Sequence, residues 1–397
     1  MNLKTKKKDL VILAGGKGSR IKNYLDGMPK PMIRIKNIPF LNFVINHFAK
    51  FDLNKIYIMA GYKGKIIKKK YHGKHINFIK IECIIEKKPM DTFGCLNQIK
   101  NKLNDFYLVN GDTFFEANLQ DIKITKSKIA SMALTQNLNY STNRKLSNLA
   151  INKNRNISNS KSSKLMNAGL YFFKKETLNY LDGKKQSLEN DIIPRLIEKK
   201  LICGTLFKNK KFIDIGTKDN LNFIKKNYIH FFEKSAVFLD RDGVINFDKG
   251  YTHKISEFRF KNGVLDGLKK LCEKNYEIFI ITNQAGIAKG KYSVNDFILL
   301  QKFIKSTLSK KNIFISEVKY CPYHPKAKIK KYKKKSNFRK PGNLMIKSIL
   351  KDRFINVKNS FMIGDKLSDF KCAIKSGIRF EYTQDNFKKL IQSIIKN

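Results

Sequence analysis

Residues 236–239 read AVFL and are followed at once by D-R-D-G, so an uninterrupted apolar run stops at two aspartates one residue apart, Asp240 and Asp242. A strand buried on both faces of a parallel sheet reads this way, and open α/β sheets place ligands in the crevice beyond its carboxyl end. Both carboxylates therefore leave the sheet at one edge. Held that close they repel each other, and both stay ionised only if a cation sits beside them or one takes a proton. Three further stretches follow in order: ITNQ with Thr282, RKPG with Lys340, and MIGDKLSD with Asp365 and Asp369.

A D-x-D pair alone is also an ordinary turn at a strand end, and what distinguishes this one is its company. The four stretches resemble the motifs of the haloacid dehalogenase superfamily of phosphatases. That resemblance implies that Asp240 attacks phosphorus to form an aspartyl phosphate and that Asp242 protonates the leaving oxygen and then activates water. It implies that Thr282 and Lys340 stabilise the transferring phosphoryl group. It further implies a Mg2+ held by Asp240, the backbone carbonyl of Asp242 and Asp365. Asp369 is expected to orient the lysine or the metal loop rather than to touch substrate.

The stretches around these motifs carry a narrower resemblance. DKGYTHKISEFRF, TNQAGIAKGKY and CPYHP followed by RKPG are similar to the D-glycero-D-manno-heptose-1,7-bisphosphate phosphatases, a subgroup without a large cap domain. By it, Asp248, Gly250, Tyr251, Asn283, Gln284, Arg339 and Lys366 line the sugar and the distal phosphate. A histidinol-phosphate phosphatase shares many of these residues and is the nearest competitor. The family commonly carries a zinc in a C-x-H and C-x-C pattern, where this chain has Cys321, Tyr323, Ser336 and Phe338. One ligand of four remains, so no zinc is expected.

The first half opens on a basic tail and then DLVILAGGKGSR, a short apolar strand running into a glycine-rich loop. Gly15, Gly16 and Gly18 let the backbone turn tightly and bring N–H groups against phosphate oxygens. Arg20, and Lys30 in MPKPM, add fixed positive charge downstream. GGKGSR followed by PKPM resembles the sugar-1-phosphate nucleotidylyltransferases, and later landmarks match in order: EKKPMDTFGC with Glu86, LVNGDTFFE with Asp112, NAGLYFF with Asn167, SLENDIIP with Glu189 and FIDIGT with Asp214. The resemblance gives Asp112 and Asp214 a Mg2+ that bridges nucleotide and sugar phosphates, and Glu86, Asn167 and Glu189 a place against substrate. It departs at Asp91 and Phe93, where the family has glycines that give room near the nucleotide and sugar. Either Asp91 hydrogen-bonds a ribose or sugar hydroxyl, or the pocket is reshaped. Residues 137–164, rich in Asn, Ser and Lys, read as a polar excursion or mobile flap.

The expected fold is α/β in two domains: a Rossmann-like nucleotidyltransferase at 1–232 with a mixed, mostly parallel sheet, and a dehalogenase-like Rossmannoid domain without a large cap at 235–397. The 397 residues carry a formal charge of +49, which invites a nucleic-acid reading. The excess is mostly Lys spread along the chain, and its basic runs lack interleaved aromatics, so small phosphorylated substrates and no nucleic acid are expected as partners. No run of eighteen apolar residues and no leader pattern occurs, and the six cysteines form no C-x-x-C pair. A cytoplasmic home with reduced thiols and no membrane is expected. The joint reading is a bifunctional enzyme that removes one phosphate of a heptose bisphosphate and then transfers a nucleotidyl group, from GTP by the logic of the route, to heptose 1-phosphate. The alternative is an active phosphatase with a regulatory or binding module before it. The sequence leaves the oligomeric state open.

Overall fold

The computed structural model describes residues 7–136, 147–160 and 162–395. The chain divides into two compact units, one comprising the chain up to Phe48 with Leu53–Phe231, the other Ala49–Asp52 with the chain from Phe232 onward.

In the first unit Asp9–Leu13, Lys55–Ala60 and Ile79–Ile85 lie side by side in parallel, and Phe106–Asn110 joins the other side of Asp9–Leu13 in the same direction. Leu10, Val11, Ile12, Ile56, Ile58 and Met59 are fully buried. Strands enclosed on both faces have no polar side to alternate with, which is why they read as continuous apolar runs. Antiparallel strands extend this core. Leu165–Phe173 runs against Phe106–Asn110, Ala130–Gln136 and Ser147–Ile151, and Ile202–Phe207 lies parallel to Ala130–Gln136. The sheet is mixed around a parallel centre.

The reading of residues 137–164 as a polar excursion needs correction in part. Residues 137–146 and 161 lie outside the described residues. Beyond them, Ser147–Ile151 and Ile157–Asn159 form an antiparallel pair at the sheet edge. Leu149 and Ile157 turn inward while Asn148 and Ser158 face out. Two inward residues in so polar a stretch are too sparse to register as period-two alternation.

The second unit is built on a fully parallel sheet of five strands in the order Ile315–Cys321, Glu277–Asn283, Ala236–Leu239, Phe361–Gly364, Arg379–Tyr382. The order reverses between Ala236–Leu239 and Phe361–Gly364, and the loops leaving these two strands diverge to open a crevice. Leu239 pairs with Ile363, and the Asp240 N–H donates to the Ile363 carbonyl at 3.1 Å, so Asp240 and Asp365 stand at adjoining strand ends. Between Ala236–Leu239 and Glu277–Asn283 the helical elements are only the turn Ile255–Glu257 and the helix Val264–Glu273, which leaves no room for a large cap there. Among the described residues no helix is long and apolar enough to cross a membrane.

Helix Val264–Glu273 packs against Phe387–Ile395 at a glycine: a β-carbon on Gly267 would stand 2.5 Å from the Phe387 ring. Replacing Gly267→Val is therefore expected to force the two helices apart and to lower stability by about 1–3 kcal/mol, the usual cost of overpacking. An earlier denaturation midpoint in a guanidinium titration followed through the second unit checks this.

Candidate active sites

The crevice of the second unit gathers three acids and one base. Lys340 is buried, with Nζ 2.9 Å from Asp240 Oδ1 and 2.7 Å from Asp369 Oδ1. Carboxylate oxygens of Asp240, Asp365 and Asp369 all lie within 4.8 Å of one another. Burial pushes the Asp240 carboxyl up to about 6; Lys340 pulls against that and Asp369 adds to it. Burial also works against the charge on Lys340, yet Asp240 and Asp369 together hold its proton above the ordinary lysine range. Burial thus raises the acid, and the two carboxylates facing one ammonium raise the base.

Backbone fit produces this convergence. Gly364 lets Asp369 fold back on the strand end, since a β-carbon there would lie 2.3 Å from the Asp369 β-carbon. Gly243, at φ 87°, lets the loop after Asp242 run against Asp365, whose Oδ2 would be 2.3 Å from a β-carbon. Asp369 Oδ2 accepts the Lys366 N–H at 3.1 Å, so its two oxygens hold the lysine and the loop carrying Asp365. Asp365 Oδ1 is buried with no hydrogen-bond partner among the described residues, and burial raises its pKa. A buried carboxylate oxygen without a donor, beside a second carboxylate, suits a hard cation, and the set Asp240 and Asp365 fits Mg2+.

Asp242 is held differently. Its carboxylate accepts from Arg241 Nε at 3.0 Å and Nη2 at 2.7 Å, from Asn246 Nδ2 at 3.1 Å and from Gln284 Nε2 at 3.1 Å. Arg241 is completely buried and also donates to the Thr252 carbonyl at 2.8 Å. Sequence reading passed over Arg241, although a charged residue between two aspartates on a buried strand end was the available signal. Gln284 Nε2 also donates to Thr282 Oγ1 at 2.8 Å, tying two residues of the expected machinery together. Asn283 exchanges two hydrogen bonds with the Lys340 backbone, at 3.1 and 3.0 Å. The amides of Asn283 and Gln284 are thus spent within the protein, positioning Lys340, Thr282 and Asp242. Asp248, Gly250, Tyr251 and Lys366 stand exposed at the rim: Asp248 Oδ1 accepts the Gly250 N–H at 2.9 Å, and Lys366 Nζ lies 3.6 Å from both Asp248 and Asp365. Arg339 is half-buried beside Lys340.

The residues at the family's zinc positions do not fit that metal. Cys321 is the one thiol, and the Tyr323 ring carries Lys334 Nζ at 3.9 Å from its centroid. A cation stacked on the ring leaves no tetrahedral donor set.

In the first unit a cavity of about 680 Å³ opens beyond the parallel strands, with Gly15, Gly16, Arg20, Lys30, Asp112 and Asp214 on its walls. Glu86, Asn167 and Glu189 also face it. Gly18 is a turn residue at φ 64°. A β-carbon at Gly15 would lie 2.4 Å from Glu86 Oε1, so a larger residue there would turn the Glu86 side chain aside. Thr113–Phe115 pairs antiparallel with Phe212–Asp214, and Ile215 N–H donates to the Asp112 carbonyl at 3.0 Å, which brings the two aspartates together. Lys30 Nζ lies 2.5 Å from Asp112 Oδ2 and 3.9 Å from Asp214 Oδ1. The ammonium stands where a cation shared by these carboxylates would stand, so the pair fits Mg2+ with Lys30 displaced towards phosphate. Asn167 Oδ1 accepts the Gly169 N–H at 2.9 Å, and Glu189 Oε2 accepts from Thr92 at 2.9 Å.

The concern raised by Phe93 is corrected by its direction. It is fully buried, 6.3 Å edge-to-face from Phe173, and packs in the core instead of the cavity. Asp91 does line the cavity, at φ 64°, a left-handed conformation that glycine favours and Asp tolerates. Burial, with Asp91 adding to it, raises the pKa of Glu86.

The excess negative charge of the second site has a cost that can be measured. Asp240 binds its proton more tightly folded than unfolded, so between about pH 4 and 6 the folded state holds the extra proton and stability falls as pH rises. In metal-free protein, Asp240→Asn leaves a neutral Lys340–Asp369 pair and is expected to melt higher than the parent above pH 6. The difference should shrink towards pH 4 in paired thermal melts.

The nucleotidyl transferase family model matches residues 9–230, and the model described as polynucleotide kinase 3 phosphatase matches residues 237–387. A D-glycero-beta-D-manno-heptose-1,7-bisphosphate 7-phosphatase of Photorhabdus laumondii is 40% identical over 138 residues, 35% of this chain and 73% of the relative. The alpha-specific 7-phosphatase of the same organism is 41% identical over 143 residues, 36% of this chain and 78% of the relative. Among solved structures, HddC from Yersinia pseudotuberculosis aligns with 56% of this chain and 99% of its own, at 22% identity and a TM-score of 0.46. The chain therefore belongs to the nucleotidyl transferase family through residues 9–230, and also to the family of the D-glycero-D-manno-heptose-1,7-bisphosphate 7-phosphatases.

Proposed function

We propose that this chain performs two consecutive steps on one sugar: hydrolysis of the 7-phosphate of D-glycero-D-manno-heptose 1,7-bisphosphate, then nucleotidyl transfer to the heptose 1-phosphate so formed. The observation that carries the reading is the 40% identity to a heptose-bisphosphate 7-phosphatase together with a buried Asp240–Lys340–Asp369 cluster at the sheet switch point. The product of such a phosphatase is the acceptor that a sugar-1-phosphate nucleotidylyltransferase consumes.

In the first step Lys340 and the Arg241 N–H, at 2.9 and 2.7 Å, occupy Asp240 Oδ1, which leaves Oδ2 as the nucleophile. The P–O bond to the sugar breaks as the Asp240–phosphorus bond forms, and Asp242 gives its proton to the departing oxygen. Water then attacks the aspartyl phosphate, Asp242 takes its proton, and phosphate leaves. Thr282 and Lys340 face the charge that develops on the phosphoryl oxygens. A magnesium ion on Asp240 and Asp365 would supply charge neutralisation. In the second step a sugar phosphate oxygen attacks the α-phosphorus of the nucleotide and pyrophosphate departs. Arg20 and Lys30 neutralise the converging phosphates, with Asp112 and Asp214 as the cation's holders. Glu86, Asn167 and Glu189 offer acceptors and donors to the sugar and nucleotide. The proposed donor is GTP.

The test offers the full chain heptose 1,7-bisphosphate of each anomer with each nucleoside triphosphate and Mg2+. Phosphate, then pyrophosphate and a nucleotide-heptose, are the expected products, and a chelator should stop both. Asp240→Asn is expected to lower phosphate release roughly 10³-fold or more while sparing transfer to preformed heptose 1-phosphate, and Asp112→Asn the reverse. Loss of both activities in either folded variant would refute separate sites. Phosphate without pyrophosphate would make the first half a binding module.

A further inference from the structure

Helix Leu367–Ile374, which follows the strand Phe361–Gly364, carries its large apolar side chains away from the core. Its inner side is small and polar, with Asp369, Cys372 and Ala373 fully buried. Leu367, Phe370 and Ile374 are instead 56%, 38% and 57% exposed. Spaced three and four apart, they share one helix face. The stripe continues onto the strand Arg379–Tyr382: the Phe370 ring meets Phe380 edge-on at 5.6 Å, and Phe380 meets Tyr382, itself 52% exposed, at 4.8 Å. These side chains form one contiguous apolar patch beside the exposed Lys371 and Lys375, and a patch of that kind marks a contact with another molecule.

The patch borders an open sheet edge. Arg379–Tyr382 is the last strand of the five, with Phe361–Gly364 its one neighbour among the described residues. Thr383 N–H donates inward to the Gly364 carbonyl at 2.9 Å. Peptide groups alternate sides along a strand, so those of Arg379 and Glu381 also turn inward and those of Phe380 and Tyr382 turn out. An edge of this kind is a template for a further strand.

The charges along the edge select which strand fits. Arg379 and Glu381 share the sheet face opposite Phe380 and are joined at 2.7 Å. In an antiparallel pairing of two copies centred on Phe380, the two Phe380 residues exchange N–H···O=C bonds. Each Arg379 then falls opposite Glu381 of the second copy, at the non-hydrogen-bonded positions where side chains approach closest. Centring the pairing one residue to either side would set Arg379 against Arg379, or Glu381 against Glu381. The same two-fold operation sets the two helices Leu367–Ile374 side by side over one continuous sheet, so their apolar stripes cover each other.

We propose that the strand Arg379–Tyr382 and the helix Leu367–Ile374 form an isologous interface between two copies of this chain, with the two-fold axis at Phe380. The basic charge of the chain opposes the approach of two copies, but at physiological salt that repulsion is screened beyond about 8 Å, so the apolar contact and the cross-strand pairs decide the outcome.

The experiment is sedimentation velocity of the full chain at micromolar concentrations and physiological salt, with thermal melts to show that each variant is folded. A concentration-dependent species of twice the chain mass is expected. Arg379→Glu and Glu381→Arg each set like charges opposite each other twice, and each is expected to weaken self-association about tenfold or more. Mixing the two variants in equal amounts should restore the dimer, because an all-negative edge then faces an all-positive one. Ile374→Lys, away from the strand, should weaken association through the helix stripe. A dimer that either reversal leaves intact, or that the mixture fails to restore, overturns the proposal. A parent that stays monomeric also overturns it, and binding of that monomer to phosphatidylserine vesicles would give the patch to a membrane surface instead.

Discussion

The second unit is organised around a buried lysine shared by two buried carboxylates. Lys340 between Asp240 and Asp369 gives a cluster with one negative charge too many, out of water, and a third acid, Asp365, stands within reach. Taking ions out of water costs several kcal/mol each, and pairing only partly repays it, so such a cluster is poor evidence of stability. It is a site held ready for positive charge. The glycines at 243 and 364 and the side chain of Asn283 hold these residues in place.

The first unit meets the same electrostatic problem with the same count of charges. Lys30 lies between Asp112 and Asp214, where one ammonium meets two carboxylates whose spacing is fixed by a two-stranded pairing and not by burial alone. Both sites therefore converge two acids on a lysine as the resident positive charge. Both lysines are buried, Lys340 with its backbone held by Asn283 and Lys30 on the wall of the cavity.

How much of this the chain discloses in advance depends on what a residue answers to. Asp240, Thr282 and Asp365 were legible because each stands at the end of an apolar run, and strand ends of a parallel sheet are where its chemistry collects. The mixed sheet with its parallel centre was legible for the same reason. Asn283 and Gln284 were legible as site residues, but the hydrogen bonds by which they hold Lys340, Thr282 and Asp242, and those of Arg241, were not, since these depend on which backbone or carboxylate a loop meets after folding. Phe93 misled for a related reason: a large residue where the family has glycine looks like an obstruction, yet its ring packs in the core against Phe173. The strands at 147–151 and 157–159 were hidden because Leu149 and Ile157 are the few side chains that pack inward there.

The lysine-rich loop of the second unit shows how a charge excess of the whole chain becomes a local resource. With one thiol at the family's metal positions, Cys321, the loop has to be ordered by other means. Lys334 lies over the ring of Tyr323, Tyr332 packs beside that ring at 6.2 Å, and two backbone N–H groups reach the Ala288 carbonyl. Cation–π contacts of this kind contribute less than a structural zinc, about 0.5–2 kcal/mol against 10 or more.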